Sequence, residues 1–162
     1  MKEEKWKAFV TPRGHRRVRR EDLLEFLKDF DVPRPDELVS RPHLVVDDEN
    51  DVRELLTEVM KSGEESLEIG SAQGGVEALL LTGERLPELL ILEILMPGMN
   101  EFEACGELKS NPRTRNVKIV AISGDTDPSP RARIKEAGAD RFFNEPLNVL
   151  EIRTEVLKLF GF

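Results

Sequence analysis

Four apolar runs in this 162-residue chain lead into oxygen-bearing side chains, and those side chains are the ones able to do chemistry. Leu44-Val45-Val46 stops at Asp47-Asp48, Leu89-Leu90-Ile91-Leu92 stops at Glu93, and Val117–Ile122 stops at Ser123. Phe142-Phe143 is followed closely by Glu145-Pro146. If the runs end side by side, four carboxylates and a hydroxyl share one rim. Two like charges ~4 Å apart cost about 4 kcal/mol at an effective dielectric of about 20. The carboxylates must therefore splay into solvent, share protons at raised pKa, or hold a cation. An oxygen-rich set suits a hard divalent ion such as Mg²⁺ or Ca²⁺. Taken alone, Asp47-Asp48 needs only a helix-capping role, which also suffices for Glu49.

The elements between the runs decide whether they end together. Asn50 or Asp51 is expected to cap a helix carrying Val52, Leu55, Leu56, Val59 and Met60 on one face. Leu67 and Ile69 alternate as a second strand, and Gly74-Gly75 opens a helix with Val76, Leu79 and Leu80 inward. Phe102, Cys105 and Leu108 mark the next helix, which Asn111-Pro112 follows. A helix from Pro130 to Ala137 stops at Gly138, a residue able to take the left-handed terminal conformation. Val149, Ile152, Val156, Leu159 and Phe160 line the last helix. Strands alternating with helices at these lengths imply βα units and a parallel sheet covered on both faces. Such sheets bind ligands at the carboxyl ends of their strands. Asp47, Asp48, Glu93, Ser123 and Glu145 are thus expected on one rim.

Hydrophobic residues make up 39% and charged residues 35%, the balance of a soluble globular chain. No apolar stretch approaches the ~18–20 residues of a membrane helix. Met1-Lys2-Glu3-Glu4-Lys5-Trp6 lacks the apolar core of a signal peptide. A single cysteine, Cys105, excludes an internal disulfide and, among apolar neighbours, reads as packing. Together these features imply a cytoplasmic protein with no membrane partner. The net charge of −8 is uneven. Residues 1–42 hold 11 Lys+Arg and 9 Asp+Glu, whereas the remainder holds 13 and 23. Residues 5–20 carry seven basic groups and no acid, so the first segment can meet an anionic partner that the rest would repel.

In order and spacing, His43–Glu49, Leu89–Met99, Ala121–Gly124 and Asn144–Leu147 resemble the receiver domain of bacterial two-component response regulators. The resemblance implies a flavodoxin-like five-stranded parallel sheet of order 2-1-3-4-5. It also implies a site at which Asp47, Asp48 and the Leu95 carbonyl hold Mg²⁺, and at which Ser123 bonds a phosphoryl group. Phe142 is then the switch aromatic, for which simple core packing is the plainer reading. Glu145–Pro146 corresponds to a bond that is usually cis in the family. The face formed by 130–137, 141–143 and 149–160 docks protein partners or a second copy, and a histidine kinase is the implied phosphodonor. The loop 124–130 reads as ordinary solvated chain.

Two positions depart from the family pattern. Glu93 stands where an Asp accepts the phosphoryl group, one methylene longer, and misplacement by ~1 Å can cost on the order of 100-fold in rate. Glu145 stands where a Lys offsets phosphoryl charge. Three readings follow: a degenerate receiver that works as a binding module, a residual phosphoacceptor, or a cation-sensing or enzymatic acidic rim. The first is preferred, with no enzymatic role and transcriptional control as the setting.

Residues 1–31 form a separate segment, and 32–42, with Val32-Pro33-Arg34-Pro35, form a stiff linker to the domain at 43–162. Lys7–Val10, Thr11-Pro12-Arg13-Gly14 and His15–Val18 read as a basic hairpin, with a helix from Glu21 to Phe30 after it. This segment resembles the wing and following helix of MerR/excisionase-type DNA-binding domains, with Arg13 replacing a glycine of the wing. The helix-turn-helix that would precede the wing is not in the sequence, so major-groove readout is not expected. Lys5, Lys7, Arg13, His15, Arg16, Arg17, Arg19 and Arg20 remain as candidate phosphate contacts, weak and salt-dependent.

Overall fold

A computed structural model of the chain describes residues 8–10, 16–18, 20–30, 41–62, 67–98, 100–125 and 127–160. The chain divides into two compact units, Met1–Ser40 and Arg41–Phe162.

In the first unit, β1 (Ala8–Val10) pairs antiparallel with β2 (Arg16–Val18), in the register Ala8↔Val18 and Val10↔Arg16. Helix α1 (Arg20–Asp29) follows directly. Leu27 is buried, and the Phe26 and Phe30 rings meet with centroids 4.5 Å apart, but Phe30 is 58% exposed. The expected turn at Thr11–Gly14 and most of the linker lie outside the described residues.

The second unit alternates strands and helices: β3 (His43–Val46), α2 (Asn50–Lys61), β4 (Ile69–Ala72), α3 (Gly75–Arg85), β5 (Leu89–Glu93), α4 (Glu101–Ser110), β6 (Lys118–Ser123), α5 (Pro128–Glu136), β7 (Arg141–Asn144) and α6 (Val149–Leu159). The strands form one parallel sheet of order β4-β3-β5-β6-β7, which is 2-1-3-4-5 counted within the unit. Alternation along the strands splits the core. Leu44, Val46, Leu90, Leu92, Ile119 and Ala121 pack with Ala78, Cys105, Leu108 and Ile134, so α3, α4 and α5 cover one face. Val45, Leu89, Ile91, Val120 and Ile122 pack with Leu56, Met60, Ile152 and Val156, so α2 and α6 cover the other. Each fully buried Leu or Ile contributes roughly 1.5–3 kcal/mol, so these two layers are what hold the strand ends in line.

Three side chains expected inward face solvent instead. Leu55 on α2 is 44% exposed, and Val76 and Leu80 on α3 are 67% and 69% exposed. Helix α3 instead lays Gly75, Ala78 and Thr82 on the sheet. The run Ala78-Leu79-Leu80-Leu81 is apolar on every side, so its period sets no phase, and the small residues let the helix sit close. Helix α2 begins at Asn50 with Glu49 in the cap position and no side-chain cap. The expected Asn50 cap fails because its Oδ1 accepts instead from Arg53 (2.9 Å). Strand β4 starts at Ile69, with Leu67 buried just before it. Helix α5 begins at Pro128, two residues earlier than expected, because the Asp127 side chain accepts from Ser129 N–H and caps it there. It ends as expected, at Gly138 with φ +107°.

Candidate functional site

The rim is built by where strands stop. β3 runs out at Val46, and the next side chain, Asp47, is buried, with one carboxylate oxygen accepting Glu49 N–H (2.8 Å). Arg53, also buried, reaches back from α2 to the Asp47 backbone carbonyl (2.7 Å) and fixes the turn between strand and helix. β5 is one residue longer, so Glu93 pairs with Ile122 of β6 as part of the strand itself. β6 ends at the fully buried Ser123, whose Oγ accepts Asp125 N–H (3.0 Å). Across from it, Glu145 N–H bonds the Ser123 carbonyl (2.9 Å), and the Glu145–Pro146 bond is cis. The Asn144 side chain donates to the Asp125 carbonyl (2.8 Å), tying the β6–α5 loop to β7.

The loop after β5 is held at two points. Ile94 N–H bonds the Ile122 carbonyl (2.9 Å), and Met96 N–H bonds the Glu101 carboxylate (2.9 Å). Glu101 is itself buried, so this contact seals the loop against α4. Between the two anchors Leu95 takes φ +76°, a conformation costing a non-glycine residue ~1–3 kcal/mol. Ile94 and Met96 are thereby buried while Leu95 is turned out, 48% exposed.

The electrostatics are one-sided. Burial is the main force raising the Glu93 pKa, from an ordinary 4.5 to about 8; Asp47, Glu145 and Asp48 add to it, and a Gly124 N–H hydrogen bond partly opposes it. One Glu93 oxygen, Oε2, is buried with no hydrogen-bond partner. Asp47 is also raised, first by burial, against its Glu49 hydrogen bond, with Asp48, Glu49 and Glu145 reinforcing. Glu145 is exposed, and its carboxylate folds over Gly124, where a Cβ would lie 2.9 Å from Oε2. Of the three ways out of like-charge crowding, the rim uses two: Glu145 and Asp48 reach solvent, and Glu93 keeps its proton near neutral pH.

The expected divalent cation would be held by the buried Asp47, the exposed Asp48 and the Leu95 carbonyl, two carboxylates and a backbone oxygen. Among the described residues, no group of three or more His, Cys, Asp and Glu side chains could hold a metal ion. One Asp47 oxygen is spent on Glu49 N–H.

Phe142 is half-buried against the α3/α4/α5 core layer, with the Arg131 guanidinium 5.6 Å above its ring. Lys5, Lys7, Arg13, His15 and Arg19 lie outside the described residues, while Arg16 and Arg17 fall in β2 and Arg20 opens α1. Sequence reasoning missed Arg53, Glu101 and Gly124. Only Glu101 left a signal: an acid just after Asn100, which caps α4.

No described helix is long and apolar enough to cross a membrane. The family model for the response regulator receiver domain matches residues 44–157. Response regulator PleD of Caulobacter vibrioides is 33% identical over 120 residues, which are 74% of this chain and 26% of PleD. The phosphate regulon regulatory protein PhoB of Rhizobium meliloti is 32% identical over 112 residues, 69% of this chain and 48% of PhoB. The chain thus spans between a quarter and a half of the length of these curated relatives. Among solved structures, the signal receiver domain of a DNA-binding response regulator (merR) from Colwellia psychrerythraea superposes with a TM-score of 0.70 at 26% identity, covering 75% of this chain and 98% of that one. A response regulator from Chloroflexus aurantiacus gives 0.66 at 28% identity, with 75% and 99% coverage. By its strand order, the placement of its rim and these matches, the chain belongs to the response regulator receiver domain family.

Proposed function

We propose that this receiver is not switched by an aspartyl phosphate and acts as a binding module in bacterial signalling, in one conformation set by its own side chains. The observation that carries the reading is Glu93: it fills the acceptor position with a carboxyl group that is half-buried, unpartnered at Oε2 and protonated near neutral pH. A protonated carboxyl is a weak nucleophile, and its charged form would face Asp47 and Glu145 with no basic side chain beside it to offset them. Glu145, in the place of the family's lysine, adds a negative charge where phosphoryl charge would build up.

The setting we propose is transcriptional control. A strand–strand–helix unit stands before the receiver, as the wing resemblance expects, and the Colwellia structure is the receiver of a DNA-binding regulator. Arg16, Arg17 and Arg20 would contribute phosphate contacts, with affinity falling steeply as salt rises.

Intact mass after incubation with a small phosphodonor and Mg²⁺ tests the reading, run in parallel on Glu93→Asp and on the double variant Glu93→Asp/Glu145→Lys. The parent is expected to stay unmodified and the double variant to gain one phosphoryl group. A hydroxylamine-labile phosphoryl group on the parent would overturn the reading in favour of a residual phosphoacceptor served by a histidine kinase.

A further inference from the structure

The outer face of α3 carries an arrangement that neither the rim nor the core explains. Val76 and Leu80, one turn apart, are 67% and 69% exposed, and exposed Gly83 continues the same line. The spacing is i, i+4, i+7, the seam by which one amphipathic helix receives another. Glycine within a helix costs stability relative to alanine, yet a Cβ added at Gly83 would meet nothing within 4 Å. Packing inside the domain therefore does not require this glycine, and its place in the seam lets a second backbone come close.

Acids border the seam. At roughly 100° per residue, Glu77 and Glu84 project to one side of the Val76–Leu80 line, and both are exposed. On α4, which packs beside α3, Glu103 and Glu107 are exposed as well. None of these four carboxylates has an ion pair among the described residues, whereas Glu68, Asp140 and Glu155 do. The bases nearby are already used. Arg85 pairs with Glu68, Lys109 pairs with Asp140, and Arg113 reaches the Gly83 carbonyl (3.5 Å) at the end of the seam.

An apolar seam with unpaired acids along its border complements a helix that is apolar on one face and basic at its edges. We infer that the outer face of α3 is a docking surface for a basic amphipathic helix of a partner protein. Its aliphatic side chains would sit on Val76 and Leu80, and its Lys or Arg would lie beside Glu77 and Glu84. The surface goes beyond the reading of the rim, since no rim residue is on α3, and it lies off the face at 130–137, 141–143 and 149–160. Two copies pairing antiparallel through α3 would set the Glu77–Glu84 side of one against that of the other. An anionic membrane or a nucleic acid is repelled by a domain whose residues 43–162 hold 23 acids against 13 bases.

The test is binding of three designed helical peptides to the full chain, read by fluorescence anisotropy and by backbone amide NMR. One has a leucine seam bordered by lysines, one the same seam bordered by glutamates, and one the lysine composition with its leucines scattered. The first is expected to bind and to move the signals of 76–84. Val76→Ser/Leu80→Ser should weaken it about tenfold or more. Glu77→Gln/Glu84→Gln should weaken it about threefold, with a shallower dependence on salt. Leu55→Ser, on the helix layer across the sheet, should leave it unchanged. Circular dichroism checks that each variant is folded, and all the substituted side chains face solvent. Equal binding of the glutamate-bordered or scattered peptide, or indifference to Val76→Ser/Leu80→Ser, would overturn the inference. So would a dimer that dissolves in that variant, or tighter binding of anionic phosphatidylserine vesicles than of the lysine-bordered peptide. A phosphoryl group found on the parent would refute the reading of the rim and leave this surface standing.

Discussion

Glu93 closes β5 at one end of the sheet, and Asp140 precedes β7 at the other; both are half-buried carboxylates. Burial pushes each of them up, but only Glu93 ends there. At Asp140 a hydrogen bond from Lys109 (2.7 Å), another from Ile119 N–H (2.9 Å) and the Lys118 charge outweigh burial, and the pKa is lowered. At Glu93 every nearby charge is negative, and a single Gly124 N–H opposes them. One end of the sheet is wired for stability: Lys109 also holds the Val117 carbonyl (2.8 Å), joining α4, β6 and the start of β7. The other end leaves the electrostatic cost unmet, and uncompensated sites of this kind cluster where proteins work. Under the proposed reading, that unmet cost is the family's rim geometry carrying an altered set of charges.

The contrast can be broken most severely at the stable end. Lys109→Met strips Asp140 of its nearest cation and leaves the Val117 carbonyl unpaired, and is expected to cost about 2–4 kcal/mol in urea unfolding. The same variant should flatten the acid limb of stability. The lowered Asp140 pKa contributes stability above the ordinary carboxylate range that is lost as pH falls through the folded value.

A smaller effect of opposite sign is expected at the rim. Because the Glu93 pKa is raised from 4.5 to about 8, its contribution is fully present below pH 4.5 and is lost as pH rises through about 8. Glu93→Gln keeps the shape without the charge, so its thermal stability should stay level over that window. It should exceed the parent's by about 2 kcal/mol at the alkaline end. The least effect belongs to the outer face of α3, where Leu80→Ser should change stability by no more than ~0.5 kcal/mol. A large loss there would mean that Leu80 is inward after all.

What the sequence disclosed follows from how each feature is encoded. The five strands and their shared rim were legible because apolar runs end abruptly at Asp47, Glu93 and Ser123, and Gly138 marked its helix end by conformational need alone. The phase of α3 was not legible, because Ala78-Leu79-Leu80-Leu81 offers no polar side to orient it. Nor were the Lys109–Asp140 brace, 31 residues apart, or the stacking of Arg133 on Phe102, since each depends on the sheet having already formed. Leu95 at positive φ had no sequence mark at all; its conformation is imposed by the anchors at Ile94 and Met96.

The most direct measurement is the titration of the Glu93 side-chain carboxyl carbon by NMR, in the parent and in Glu145→Lys. A midpoint near 8 in the parent, moving down when a cation replaces Glu145, is the expected result. A midpoint near the ordinary 4.5 in the parent would mean that Glu93 is an ionised, solvated carboxylate, and would contradict the reading of the rim as a neutral, non-accepting site.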